Sequence, residues 1–445
     1  MAGGSEQEGW SVTAEGDRTS ARLGLRWTHP LAAEEVAGWE VSLGWGSWQL
    51  PWPHTGSDPE VVLPWRMLAA PVDCRLELLL TARSAEGEVL GTGRLTVALP
   101  PFDLFAPSTD WDLGEAEVVV DDALRRAAGR TYWPDGTVGF APGPDGVVRC
   151  WAPDGRLLLR PDGSGPAVGV PSSVLAGPHG IEGTIEPADY ASGGPVLDVG
   201  GGVLAMVWHG EEHVGGDPDD FWGFLGLARS TDGGQTFHDL GRIVTPHIRA
   251  DSPRRVLHVE VGGGSCATSD DGYLHVYYRD TLDTGSSAPA LGLSVARVGL
   301  WDLVAAVHDG RAPVLEKWRD GAWSQPGLGG SADDLLPRGV SLPRWFDVIR
   351  HDEVGWLMVG TGGLAVDWTY VVRTSPDGLT WSDGELLGEP VRDAEVLYLT
   401  LSGDDLGTSR RAVDDVWLWR TRSADAAGSR WDDARFERLR LARRV

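Results

Sequence analysis

Apolar and polar positions alternate with period two along most of this chain, in short runs bounded by Gly, Pro and Asp. That is the pattern of half-buried strands. One run recurs five times, as Gly146–Trp151, Gly202–Trp208, Gly272–Tyr278, Gly355–Gly360 and Asp415–Arg420. The starts lie 56, 70, 83 and 60 residues apart. Turn residues precede the runs, as in Pro144-Asp145-Gly146, Val199-Gly200-Gly201 and Asp270-Asp271-Gly272. Each run therefore reads as the second strand of a small sheet. Third strands are expected at 224–229, 291–297, 369–374 and 435–441. A multi-strand repeat of this length predicts the blades of a β-propeller.

The last strand, 435–443, is expected to pair with Val118-Val119-Val120 and close the ring, which removes exposed sheet edges. A short helical turn is expected at 121–127. The longest spacing holds an insertion, with a helix at 301–308 followed by Trp318–Trp323 and a Gly-rich loop.

The first hundred residues differ. Strands at 21–27, 39–43, 74–82 and 95–99 predict an immunoglobulin-like β-sandwich closed by Pro100-Pro101. Trp45, Trp48, Trp52 and Trp65 lie between these strands and read as core, domain interface or a sugar-stacking surface. The expected all-β chain thus divides into a sandwich, 1–105, and a five-bladed propeller, 113–445.

Composition narrows the partners. Among 445 residues there are 61 Gly and 29 Pro, which suits many tight turns, 22 Trp, and very little lysine. A net charge of −27 opposes binding to nucleic acid or to an anionic membrane surface, and leaves a small-molecule or carbohydrate ligand. Cys74, Cys150 and Cys266 are odd in number and far apart, so they make neither a disulfide framework nor a metal knuckle. No leader pattern or span-length apolar run is visible, and a cytoplasmic location is the expectation. No cofactor is expected. Gly262-Gly263-Gly264 sits in a strand setting rather than a dinucleotide fingerprint, and no phosphate-binding loop or Gly-x-Ser-x-Gly elbow is present.

In a propeller the first strand of each blade starts, and the second ends, at one loop-rich face. Ionisable and aromatic residues gather at both places. Blade two offers Asp189-Tyr190-Ala191-Ser192 and His209-Gly210-Glu211-Glu212-His213. The latter reads as sugar-hydroxyl binding, acid–base work, metal ligation or loop structure. Blade three offers His258-Val259-Glu260 and Tyr278-Arg279-Asp280, where Asp280 would hold Arg279. Blade four offers Arg344-Trp345-Phe346-Asp347, blade five Glu395–Tyr398, and blade one Tyr132-Trp133-Pro134-Asp135. Glycoside hydrolysis needs two carboxyls flanking the scissile bond. The expected set is Glu260 as general acid and Asp135 or Glu212 as base. Tyr190, His209, Glu211, His258, Tyr278, Arg279, Arg344, Trp345, Asp347 and Tyr398 would line the funnel.

Ser230-Thr231-Asp232 through Phe237, and Ser375-Pro376-Asp377 through Trp381, match the Asp-box, a structural staple at a strand turn. With Tyr190–Pro195, Trp208–Glu211, Gly226–Gly234 and Asp271–Arg279, residues 113–445 resemble the five-bladed propeller glycoside hydrolases: arabinanase, xylosidase and fructosidase-like enzymes, with sialidase-type boxes. The resemblance implies a first-blade base or nucleophile (Asp135), a second-blade orienting acid (Asp189 or Glu212) and a third-blade acid (Glu260). Two other readings stay open. One is a lyase, isomerase or cyclase of secondary metabolism using the same acidic, aromatic funnel. The other is a non-catalytic carbohydrate-binding protein.

Overall fold

The computed structural model describes residues 9–444 except 18–21, 46–47, 53–55, 65–73, 100–104, 128–133, 135, 144–146, 153–154, 161–189, 214–220, 253–258, 283–289, 338–339, 341, 363–366, 393, 404–405, 407–409 and 424–433. The described residues are mostly strand, and none of their helices is long and apolar enough to cross a membrane.

The N-terminal strands form two antiparallel sheets. Ser11–Asp17, Arg22–Thr28 and Glu60–Pro64 make one, and Trp48–Trp52, Gly38–Trp45, Cys74–Arg83 and Val89–Leu99 the other. Alternate residues of both sheets, such as Leu23, Leu25, Trp27, Leu76, Leu78, Leu80, Leu95 and Val97, meet in one core. Trp39 packs edge-on to Trp27 and Trp10 at 5.4 and 6.0 Å. Three of these seven strands escaped the sequence pattern. Trp45, Trp48 and Trp52 lie within strands rather than between them, because Trp45 pairs with Trp48 at a tight hairpin. Pro51 fits there because its strand pairs on one side only, where a missing N–H breaks no ladder. Trp65 lies outside the described residues.

Five sheets then follow one another. Blade one holds Gly139–Pro142, Val148–Ala152 and Gly155–Leu159; blade two holds Tyr190–Ser192, Val196–Asp198, Leu204–His213, Phe221–Ser230 and His238–Val244. Blade three comprises Val261–Thr268, Tyr273–Leu282, Ala290–Gly299, Glu316–Arg319 and Ala322–Pro326. Blade four comprises Phe346–His351, Gly355–Gly362, Asp367–Ser375 and Glu385–Arg392, with Arg411–Ala412 added in parallel to its first strand. Blade five comprises Glu395–Ser402, Val416–Ser423 and Arg435–Arg443, completed by Trp111–Leu113 and Glu117–Val120. Phe436 faces Val120 and Glu437 faces Val118, so the ring closes where the sequence pattern placed it. The arrangement is that of a five-bladed β-propeller. Short helices at Asp122–Ala127 and Leu300–His308 decorate it, the second leading into the Glu316–Pro326 hairpin of blade three.

Adjacent blades are pinned by specific contacts. In the first box Asp232 accepts from the backbone N–H of Gln235 and Thr236 at 2.8 and 3.0 Å. Phe237 then packs edge-on to Trp151 of blade one, whose indole donates to Gly234 O at 2.8 Å. In the second box Trp381 packs edge-on to Tyr277 of blade three, and Tyr277 donates to Gly378 O at 3.1 Å. Phe140 of blade one lies 4.7 Å from Trp419 of blade five. Lys317, the only lysine in the chain, is fully buried and donates to Thr245 O of blade two and Gly330 O at 2.7 and 2.6 Å.

Candidate functional site

The loop-rich end of the hub is built around Glu260. Val259, just before blade three, bridges in parallel to Trp222 at the start of blade two's third strand, and both pack toward blade one. Alternation turns the next residue, Glu260, the other way. Its backbone is clamped by Thr281, whose hydroxyl accepts from the Glu260 N–H at 2.9 Å while the Thr281 N–H donates to Glu260 O at 3.0 Å. The carboxylate, 4% exposed, lies over Gly262 and forms an ion pair with Arg279 from the neighbouring strand. A Cβ on Gly262 would overlap Glu260 Oε1, so the glycine is what admits the carboxylate.

Arg279 leans over Trp345, its guanidinium 5.5 Å from the ring centroid. Trp345 meets Tyr398 of blade five at 4.4 Å. Tyr398 has φ 51°, a left-handed conformation rare for a bulky residue, at a bulge in the first strand of blade five. Such strain persists only where surroundings enforce it, and here it aims the ring at Trp345. Arg344 is half-buried beside this pair, 6.0 Å from the Trp345 ring and 5.6 Å from the Trp368 ring, with Glu395, Arg279, Tyr398 and Glu260 as its charged or polar surroundings. Burial lowers its pKa against the pull of Glu395. Glu395, the first residue of blade five's inner strand, pairs across the ladder with Ser423, is 7% exposed, and its carboxyl makes no ion pair with a described residue. Burial raises its pKa above the ordinary glutamate value, and the charge of Arg344 offsets this only in part.

Blade two adds a second group. His209, Glu211 and His213 alternate onto one side of its second strand, and Glu211 bridges the two imidazoles, 3.0 Å from His209 Nε2 and 3.3 Å from His213 Nε2. Tyr190 is the cross-strand partner of Glu211 on one side and Gly223 on the other. A Cβ at Gly223 would sit 3.2 Å from the His209 ring, so the glycine lets that ring pack close against the third strand.

Several sequence-derived candidates lie elsewhere. Glu212 points to the opposite side of its strand, toward blade one, where it pairs with Arg242 over Phe224 and Trp222. Tyr278 is fully buried between blades two and three, because alternation sends it away from Arg279. Asp280 shares that face and does not hold Arg279; its burial pushes the carboxyl up to about 7 despite Lys317. Asp347 is fully buried and accepts from Ser265, Leu401 N–H and Arg410. Asp135, Asp189 and His258 lie outside the described residues. Glu395, by contrast, was visible as an acid at a first-strand start; its burial was not. Among the described residues no group of three or more His, Cys, Asp or Glu is placed to hold a metal ion.

No protein-family model matches the chain, and no curated protein matches it. Solved structures similar to it include an exo-1,5-α-L-arabinanase from a bovine ruminal metagenomic library, at 10% identity and TM-score 0.42, covering 70% of this chain and 95% of that one. An α-L-arabinanase mutant of Cellvibrio cellulosa is similar at 10% identity and TM-score 0.40, covering 72% and 91%. A thermostable family-43 glycoside hydrolase is similar at 11% identity and TM-score 0.39, covering 69% and 88%. At these scores no residue role passes from them to this chain.

Proposed function

We propose that this protein is a glycoside-hydrolase-like enzyme acting on a small glycoside at the loop-rich end of the hub. The observation that carries the reading is the meeting of Glu260, Arg279, Arg344, Trp345, Glu395 and Tyr398 from blades three, four and five around one aromatic surface. Carboxyls supply proton transfer, guanidinium groups orient oxygen-rich substrates, and Trp345 with Tyr398 offers a face for a sugar ring. Glu260 is the central carboxyl of this reading, and the blade-two group of Tyr190, His209 and Glu211 would contribute hydroxyl contacts.

The N-terminal sandwich belongs to this proposal as an immunoglobulin-like accessory domain. Its strand order, first-second-fifth on one sheet and fourth-third-sixth-seventh on the other, supports that assignment.

One observation favours a second reading, sugar binding without turnover: Glu260 and Glu212 are each tied to an arginine. A panel of aryl glycosides assayed with the wild type and Glu260→Gln separates the two. Hydrolysis by the wild type that falls about 10²- to 10⁴-fold in the variant is expected of the enzyme. Saturable sugar binding with no turnover by either protein would establish the lectin reading instead.

A further inference from the structure

We propose that Glu395 is the proton-donating carboxyl of this site and that Glu260, gripped by Arg279, works with it as the anionic partner. This rests on the hydrolase reading above and reverses the role the sequence first gave Glu260. Glu260 immediately precedes the inner strand of blade three and Glu395 opens that of blade five, and both carboxyls act on Arg344. Their surroundings differ. Glu260 is bonded to a guanidinium, which favours its charged form. Glu395 is more than nine-tenths buried and makes no ion pair among the described residues, with Arg344 the charged group that acts on it. Two carboxyls pushed apart by environment are the arrangement that divides acid from base.

The glycosidic C–O bond breaks, its electron pair goes to the leaving oxygen, and that oxygen takes the proton of Glu395. Water attacks the anomeric carbon and gives a proton to Glu260. Exchange with solvent then returns the proton to Glu395. Arg344 is the charged group that acts on Glu395, with Arg279, Tyr398 and Glu260 around Arg344; its cross-strand partner Ser423 carries no charge.

Leaving-group dependence tests the assignment. A dinitrophenyl glycoside needs no acid, whereas a phenyl glycoside does. Glu395→Gln should lose about 10²- to 10⁴-fold on the phenyl substrate, stay within about tenfold on the dinitrophenyl one, and lose the alkaline limb of its pH profile. Glu260→Gln should lose both substrates. Equal losses on both substrates in Glu395→Gln, or no loss, would overturn the proposal while leaving the hydrolase reading intact. Absence of all hydrolysis by the wild type would remove the hydrolase reading itself. Infrared difference spectra recorded through the alkaline limb should show, beside the Asp280 band, a protonated carboxyl band that Glu395→Gln abolishes; lack of that second band overturns the proposal whatever the kinetics. Glu395→Asp serves as the second variant if the first does not fold.

Discussion

Arg410 donates from Nη2 to Asp347 Oδ1 at 2.5 Å, and both side chains are buried at the hub. The same guanidinium donates to Cys266 O of blade three at 2.9 Å, Val348 O of blade four at 2.9 Å and Leu401 O of blade five at 2.6 Å. Asp347 in turn accepts the Ser265 hydroxyl and, at 2.5 Å, the Leu401 N–H. The pair therefore joins three blades. Removing one member of a buried, hydrogen-bonded ion pair costs about 3–5 kcal/mol. Asp347→Ala should lower the unfolding free energy from urea titration by that amount while the folded fraction keeps its kcat. A kcat loss at full folding would return Asp347 to the chemistry.

Two buried groups set opposite pH slopes. Asp280 titrates at about 7 in the folded chain against an ordinary 3.8, so the folded state holds a proton the unfolded state has lost. Its contribution is full below the ordinary value and disappears as pH rises through about 7. His275 titrates at about 4 against 6.5, because burial disfavours its cation. Its contribution is full above 6.5 and disappears as pH falls toward 4. Asp280→Asn should therefore help more at pH 8 than at pH 5, by about 2–4 kcal/mol, and His275→Gln should flatten the acid side. Denaturant midpoints across pH 4–8 check both; a pH-independent effect of Asp280→Asn would show that its carboxyl is ionised throughout.

Lys317 offers a reporter of blade opening. It is the only lysine, its ammonium is enclosed between blades two and three, and burial lowers its pKa. An amine-reactive ester should leave the Lys317 peptide unmodified in the native protein and modify it fully in guanidinium chloride, as read by mass spectrometry. Fast native labelling would mean that blades two and three separate readily.

Much of this fold was legible as a linear pattern. Second strands were marked by their Gly- or Asp-led runs, third strands by what followed, and ring closure by the alternation in 435–443 facing Val118–Val120. Edge strands such as Trp48–Trp52 and Glu60–Pro64 were missed, because short, proline-bearing segments carry little alternation. At the site, Glu260, Arg279, Arg344, Trp345 and Tyr398 were named from their positions at strand ends, and the structure gathers them. Tyr278, Asp280, Glu212 and Asp347 were named by the same logic, and each turned to another environment.

Period-two alternation is local chemistry, so the sequence alone determined where strands run, how often the unit repeats and which short segments carry ionisable groups. It could not determine which face of each strand meets which neighbouring blade. That depends on packing between different strands, as when Arg279 crosses to Glu260 while Asp280 turns toward Lys317. Only the tertiary structure decided which carboxyl is ion-paired to a guanidinium and which is governed chiefly by burial, since burial and distance to charge, not residue type, set the state of a carboxyl.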